Sequence, residues 1–137
     1  MANATLSERR RPMNWRGILI AAGLTVAFSI GAGLIASLIQ APALMLMLAA
    51  LAFFGVGFAT LRLRPGANPL EPAIGASVTV LVFSLLQLAV APSPAAGLPA
   101  GQVILSMVIA VFFAFSLTWL GARTSMSRMT PRREAPI

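Results

Sequence analysis

The chain contains no cysteine, histidine, tyrosine, lysine or aspartate. Without cysteine there is no disulfide, no iron–sulfur cluster and no thiol chemistry. The further absences remove the usual metal ligands, the commonest general base and any Schiff-base lysine. Catalysis would have to rest on three glutamates, hydroxyls and arginines, so no enzymatic activity, cofactor or metal is expected. Charge of either sign is scarce. Charged residues make up 9% of the 137 and apolar ones 58%, where ordinary globular chains have roughly 25% and 45–50%. A water-soluble domain could not hide so large an apolar share.

The few charges are not scattered. Glu8, Arg9, Arg10, Arg11 and Arg16 form one cluster, Arg62, Arg64 and Glu71 a second, and Arg123, Arg128, Arg132, Arg133 and Glu134 a third. Residues 17–61 and 72–122 between them are uncharged. A helix needs about 20 apolar residues to cross the ~30 Å hydrocarbon layer, so each stretch accommodates two crossings. The expected fold is therefore all-α, an integral membrane bundle of four transmembrane helices. All ten arginines then fall on one side, which the positive-inside rule makes cytoplasmic, together with both termini. The net charge of +7 is read as topology determination and attraction to anionic headgroups. No basic helix face interleaved with aromatics is present, and no nucleic-acid partner is expected. Arginine as the sole base, with abundant Ala, Gly and Pro, points to a GC-rich bacterial genome and so to the inner membrane.

Along the chain, residues 1–14 read as a disordered basic arm and 15–122 as the membrane domain, with spans at about 17–39, 43–61, 71–91 and 101–121. Residues 123–137 read as a basic cytoplasmic tail. An arginine-rich start before an apolar run also describes a secretory signal, but 17–39 exceeds the 7–15 residues of a signal core, and Pro42 would follow the cut. An uncleaved first helix is expected. Gln40-Ala41-Pro42 supplies a tight turn, since proline favours a first helical position and disfavours helix in the residue before it. Arg62 to Pro69 combines charge with strong turn chemistry, whereas the loop 92–99 has no charge. Trp15 and Trp119 both fall beside arginines, Arg16 and Arg123, as interfacial tryptophans should.

Few residues carry candidate chemistry. Glu71 borders the hydrocarbon region, where ionisable groups are functional candidates by default. The preferred reading is structural, a helix-start charge that favours the macrodipole and pairs with Arg62 or Arg64. On the third helix Ala73, Ser77, Ser84, Gln87 and Ala91 fall within an arc of about 80°. Gln102 and Ser106 stand one turn apart on the fourth, with Ser116 further along. Gln40, Gln87 and Gln102 mark the extracytoplasmic ends, either as a small polar vestibule or as amides tolerated near the interface. Small residues recur four apart in two rows on the first helix, Gly23, Ala27, Gly31 and Ser29, Gly33, Ser37, and the second adds Gly55 and Gly57. Such rows let helix backbones approach closely, against another helix of the chain or another protomer.

Pro65-Gly66, then four residues, then Glu71-Pro72-Ala73-Ile74-Gly75-Ala76 resembles a segment at the cytoplasmic start of a hydrophobic helix in small four-span bacterial membrane proteins. The resemblance covers about a dozen residues and implies a recurring loop-to-helix junction, with glycine for the turn and Glu71-Pro72 for the helix start. Small multidrug exporters fit less well, since they depend on a glutamate within the first helix and residues 17–41 contain no acid. Fluoride channels also span four times, but none of their motif residues stands at a matching position. The expected role is that of a non-enzymatic structural or accessory subunit, associating with itself or with a larger membrane complex. The alternative is a small transporter or channel subunit that forms a pore by oligomerising, lined by Ser84, Gln87, Gln102 and Ser106 with Glu71 at its mouth.

Overall fold

The computed structural model describes residues 13–39, 41–90 and 99–129. They form four α-helices, α1 (Trp15–Ile39), α2 (Pro42–Leu63), α3 (Leu70–Val90) and α4 (Ala100–Met129), and no strand among the described residues. Each helix is long and apolar enough to cross a membrane, so the protein is the all-α four-span bundle that the charge pattern implies. Arg9, Arg10, Arg11, Gln40 and Ala91 lie outside the described residues, as do 92–98 and 130–137.

Local chemistry sets the helix ends. Asn14 caps α1: its side-chain oxygen accepts from Arg16 N at 3.1 Å and its carbonyl from Gly17 N at 3.0 Å, satisfying amides that an unfinished helix start leaves orphaned. At α2, Pro42 occupies the opening turn behind an extended Ala41, where a missing amide costs nothing. The helix ends as Arg64 N donates to Thr60 O at 3.0 Å. Gly66 then takes φ 100°, a left-handed conformation that glycine enters without steric penalty. Asn68 starts α3 through its side chain, which accepts from Leu70 N at 3.0 Å.

The fourth helix runs past its expected end at residue 121. No glycine or proline occurs between Arg123 and Met129 to stop it. At 30 residues and 1.5 Å per residue it is about 45 Å long, so it outruns the hydrocarbon layer by several turns. That extension is anchored: Ser125 is buried, and Met126 packs against Leu61, Ala67 and Ala122.

Around the bundle the helices follow the order α1–α2–α4–α3, with α2 touching α3 lightly across the diagonal. Glycines make the closest approaches. A β-carbon at Gly57 would lie 1.9 Å from the Thr118 carbonyl oxygen, and one at Gly121 would lie 2.1 Å from that of Phe54, so parallel α2 and α4 meet backbone to backbone. Gly75 of α3 likewise sits on Ile18 and Ala21 of α1. Without a hydrophobic force between helices inside lipid, such dispersion contacts are the principal source of association. Three threonine hydroxyls are absorbed locally: Thr25, Thr60 and Thr79 donate to Ala21, Val56 and Gly75 carbonyls at 2.7–2.8 Å.

Burial is lopsided. The buried side chains, among them Ala21, Thr25, Val56, Leu61, Ala73, Ala76, Ala114, Thr118 and Ala122, lie in the half nearest the arginines. In the other half, grooves open between the helices. One of about 680 Å³ separates α3 from α4 and is lined by Leu81, Leu85, Leu88, Ile104, Val108 and Phe112. Another of about 450 Å³ lies between α1 and α2.

Candidate functional site

Antiparallel threading brings the start of α1, the end of α2, the start of α3 and the end of α4 to one end of the bundle. Arg16, Arg62, Arg64, Glu71, Arg123 and Arg128 therefore collect there. Glu71 is the one acid among the described residues and is 1% exposed. One carboxylate oxygen accepts from the backbone N–H of Asn14 at 2.9 Å. The other lies 3.7 Å from Arg64 Nη1, beyond the 2.7–2.9 Å of a charged hydrogen bond, so the attraction is Coulombic and both atoms lack a hydrogen-bond partner. The carboxylate sits directly over Gly17, where any β-carbon would collide with it. Glu71 thus stands at the positive start of its own helix and also supplies negative charge to the start of α1. It fastens α3 to α1.

The arginines divide by environment. Arg64, 30% exposed, is the one that reaches Glu71. Arg62 instead lies over the Phe58 ring, 5.1 Å from its centroid, and Arg123 lies 5.0 Å over Trp119. Trp15 is 77% exposed at the start of α1, beside exposed Arg16.

The polar side chains in the opposite half do not converge. Ser84 and Gln87 line a groove of about 410 Å³ between α1 and α3 with Thr25, Ser29 and Thr79. Ser77, from the same stripe, borders the α3–α4 groove, and Ala73 is buried in the packed half. Gln102 and Ser106 are exposed on α4 and line none of these grooves. The Ser106 hydroxyl donates to its own helix at Val103 O, 2.7 Å.

The small-residue rows of α1 form no tight seam, Ala27, Gly31, Ser29 and Gly33 bordering open grooves against α2. A β-carbon at Gly23, Gly31 or Gly33 would meet nothing within 4 Å, and Ala27 is exposed. A β-carbon at Gly55 would lie 3.0 Å from the Phe28 ring, and Gly57 approaches α4. The close contacts of Gly17, Gly75 and Gly121 escape sequence reasoning, because none belongs to a row of three: Gly17 and Gly121 each have one small residue four positions on, Ala21 and Ser125, and Gly75 has none. The Asn14 to Glu71 bond escapes it as well. A proline-rich junction following an Asn-capped helix was its only available signal.

Fold and charged end together define a polytopic helical membrane protein whose four spans are fastened at one end. No family model, curated protein or solved structure matches the chain. Among the described residues no group of three potential metal ligands occurs.

Proposed function

We propose that this is a non-enzymatic structural or accessory protein of a bacterial inner membrane, associating with itself or with a larger membrane complex. Both termini and the Arg62–Glu71 hinge face the cytoplasm, following the arginine rule. The observation that carries the reading is the use made of Glu71. A carboxylate serving a proton or cation path must meet water or the solute, whereas this one is 1% exposed and occupied by Asn14 and Arg64. It works as a fastener. The open apolar grooves and unfilled glycine surface of α1 leave room for neighbouring helices in the other half.

Purification of the tagged chain in mild detergent, with the mass of the complex measured, tests association: recovery as a monomer without companions overturns it. Reporter fusions at Ala95 and Ile137 test threading, and are expected on opposite sides of the membrane. The same compartment for both overturns the orientation.

One observation favours a second reading, a small transporter or channel subunit. The α1–α3 groove gathers Thr25, Ser29, Thr79, Ser84 and Gln87, a hydrogen-bonding surface within the spans. Flux of ions or small solutes into liposomes holding the purified protein would establish this alternative, and no flux across a broad panel would remove it.

A further inference from the structure

We propose that Arg62 and Arg123 are two binding positions for the phosphate of anionic phospholipids in the leaflet at the charged end. This inference requires that the charged end meet a membrane surface, and holds whether the protein is accessory or pore-forming.

Charge accounting gives the first argument. Among the described residues Glu71 is the single acid, and it is buried against Arg64. Arg16, Arg62, Arg123 and Arg128 are exposed at the same end with no described carboxylate left to meet them. A guanidinium beside a low-dielectric layer draws a counter-anion, and the anions held at that depth are lipid phosphates.

Geometry singles out two of the four. Arg62 lies over Phe58 and Arg123 over Trp119, each aromatic four residues earlier on the same helix, with separations of 5.1 and 5.0 Å. Attraction to the ring restrains where each guanidinium sits. Both arginines are exposed, and with five N–H donors each they can still make the forked contact that carboxylate and phosphate accept. Less side-chain freedom is then lost on binding than for an unrestrained arginine. Depth agrees: Trp119 is an interfacial residue type, the backbone of each arginine stands about one turn, ~5.4 Å, beyond its ring, and the guanidinium reaches back to ring level. Arg64 is differently placed, since its Nη1 is buried.

The test uses the full chain in nanodiscs of phosphatidylcholine with a minor fraction of phosphatidylglycerol, retained lipids being counted by native mass spectrometry. Wild type is expected to retain phosphatidylglycerol preferentially. Arg62→Gln and Arg123→Gln should each weaken that preference about fivefold, the effect of one interfacial basic residue. Phe58→Leu with Trp119→Leu keeps both charges and should still weaken it about threefold or more. Arg64→Gln should leave it unchanged. Equal retention of both lipids by wild type overturns the proposal, as does wild-type retention by the doubly substituted Arg62→Gln, Arg123→Gln chain. Full retention after loss of both rings leaves charge alone and overturns the ring-held positions. Displacement of the lipid by millimolar inorganic phosphate or an acidic peptide overturns the membrane source. If a variant loses its helical circular dichroism, the wild-type preference decides alone.

Discussion

Gly57→Ala should be among the most damaging single-methyl changes in this protein. The new β-carbon would lie 1.9 Å from the Thr118 carbonyl oxygen and 2.9 Å from Ala122 N, both backbone atoms that cannot rotate aside. An ordinary carbon–oxygen contact is about 3.3 Å, so α2 and α4 must part by more than about 1 Å along this seam. A radial gap of 0.5–1 Å already forfeits a quarter to a half of each dispersion contact, and overfilling a packed interior costs about 1–3 kcal/mol. The upper end of that range, about 3 kcal/mol, is expected here because the loss spreads along the interface. Gly23→Ala adds the same methyl where nothing lies within 4 Å and should stabilise by up to about 1 kcal/mol through helix propensity. Reversible unfolding in mixed micelles, followed by Trp119 fluorescence in a Trp15→Phe background, measures both. A Gly57→Ala chain within about 0.5 kcal/mol of its parent would refute the backbone contact. Gly57→Ala with Gly121→Ala should cost less than the sum of the two, since both part the same pair.

Glu71→Gln keeps the shape of the clasp but removes its charge, and should lower stability by about 1–2 kcal/mol in the same assay, the partly exposed Arg64 softening the loss; no change would remove the fastening role. Gly17→Ala expels the carboxylate from its seat and should cost less in a Glu71→Ala chain, where no side chain remains over residue 17, than in the parent, whereas equal costs would show that the two act separately. Because the chain has no cysteine, a single introduced thiol reports association cleanly. Gly23→Cys alone has no intramolecular neighbour, so a cross-linked dimer in native membranes is expected if copies associate through α1, and an exclusively monomeric band would exclude that face.

Much of the architecture is legible from charge and hydropathy because those properties report solvent directly. Residues 17–39, 43–61 and 71–91 anticipate α1, α2 and α3 to within two residues at each end. The α4 terminus is different: Arg123 marks where the hydrocarbon layer stops, and a helix with no breaker does not stop with it. Contacts were harder to foresee, for a physical reason. In an Ala/Gly-rich span, small residues four apart occur freely, so Gly23, Ala27 and Gly31 carry the pattern of a packing seam although a β-carbon at either glycine would meet nothing within 4 Å and Ala27 and Gly31 border an open groove. The seams that exist depend on which faces the tertiary arrangement brings together, and Gly57, Gly75 and Gly121 reveal that only against their partners. Glu71 was recognisable as the exceptional acid, and Arg64 as one of two arginines within reach. Its bond to Asn14, 57 positions away, depends on the parallel setting of α1 and α3, which no local pattern encodes.

The uneven burial has a mechanical consequence. Where backbones touch and Glu71 closes the clasp, separating the helices means giving up glycine seams and an ion pair together, so that region resists deformation. Toward the opposite surface few side-chain contacts oppose a change in tilt, and weakly tied regions yield first. The molecule behaves as a peg, stiff at the pivot and compliant at the jaws. The thickness and lateral pressure of the leaflet around those jaws, more than the protein's own contacts, set how far they stand apart.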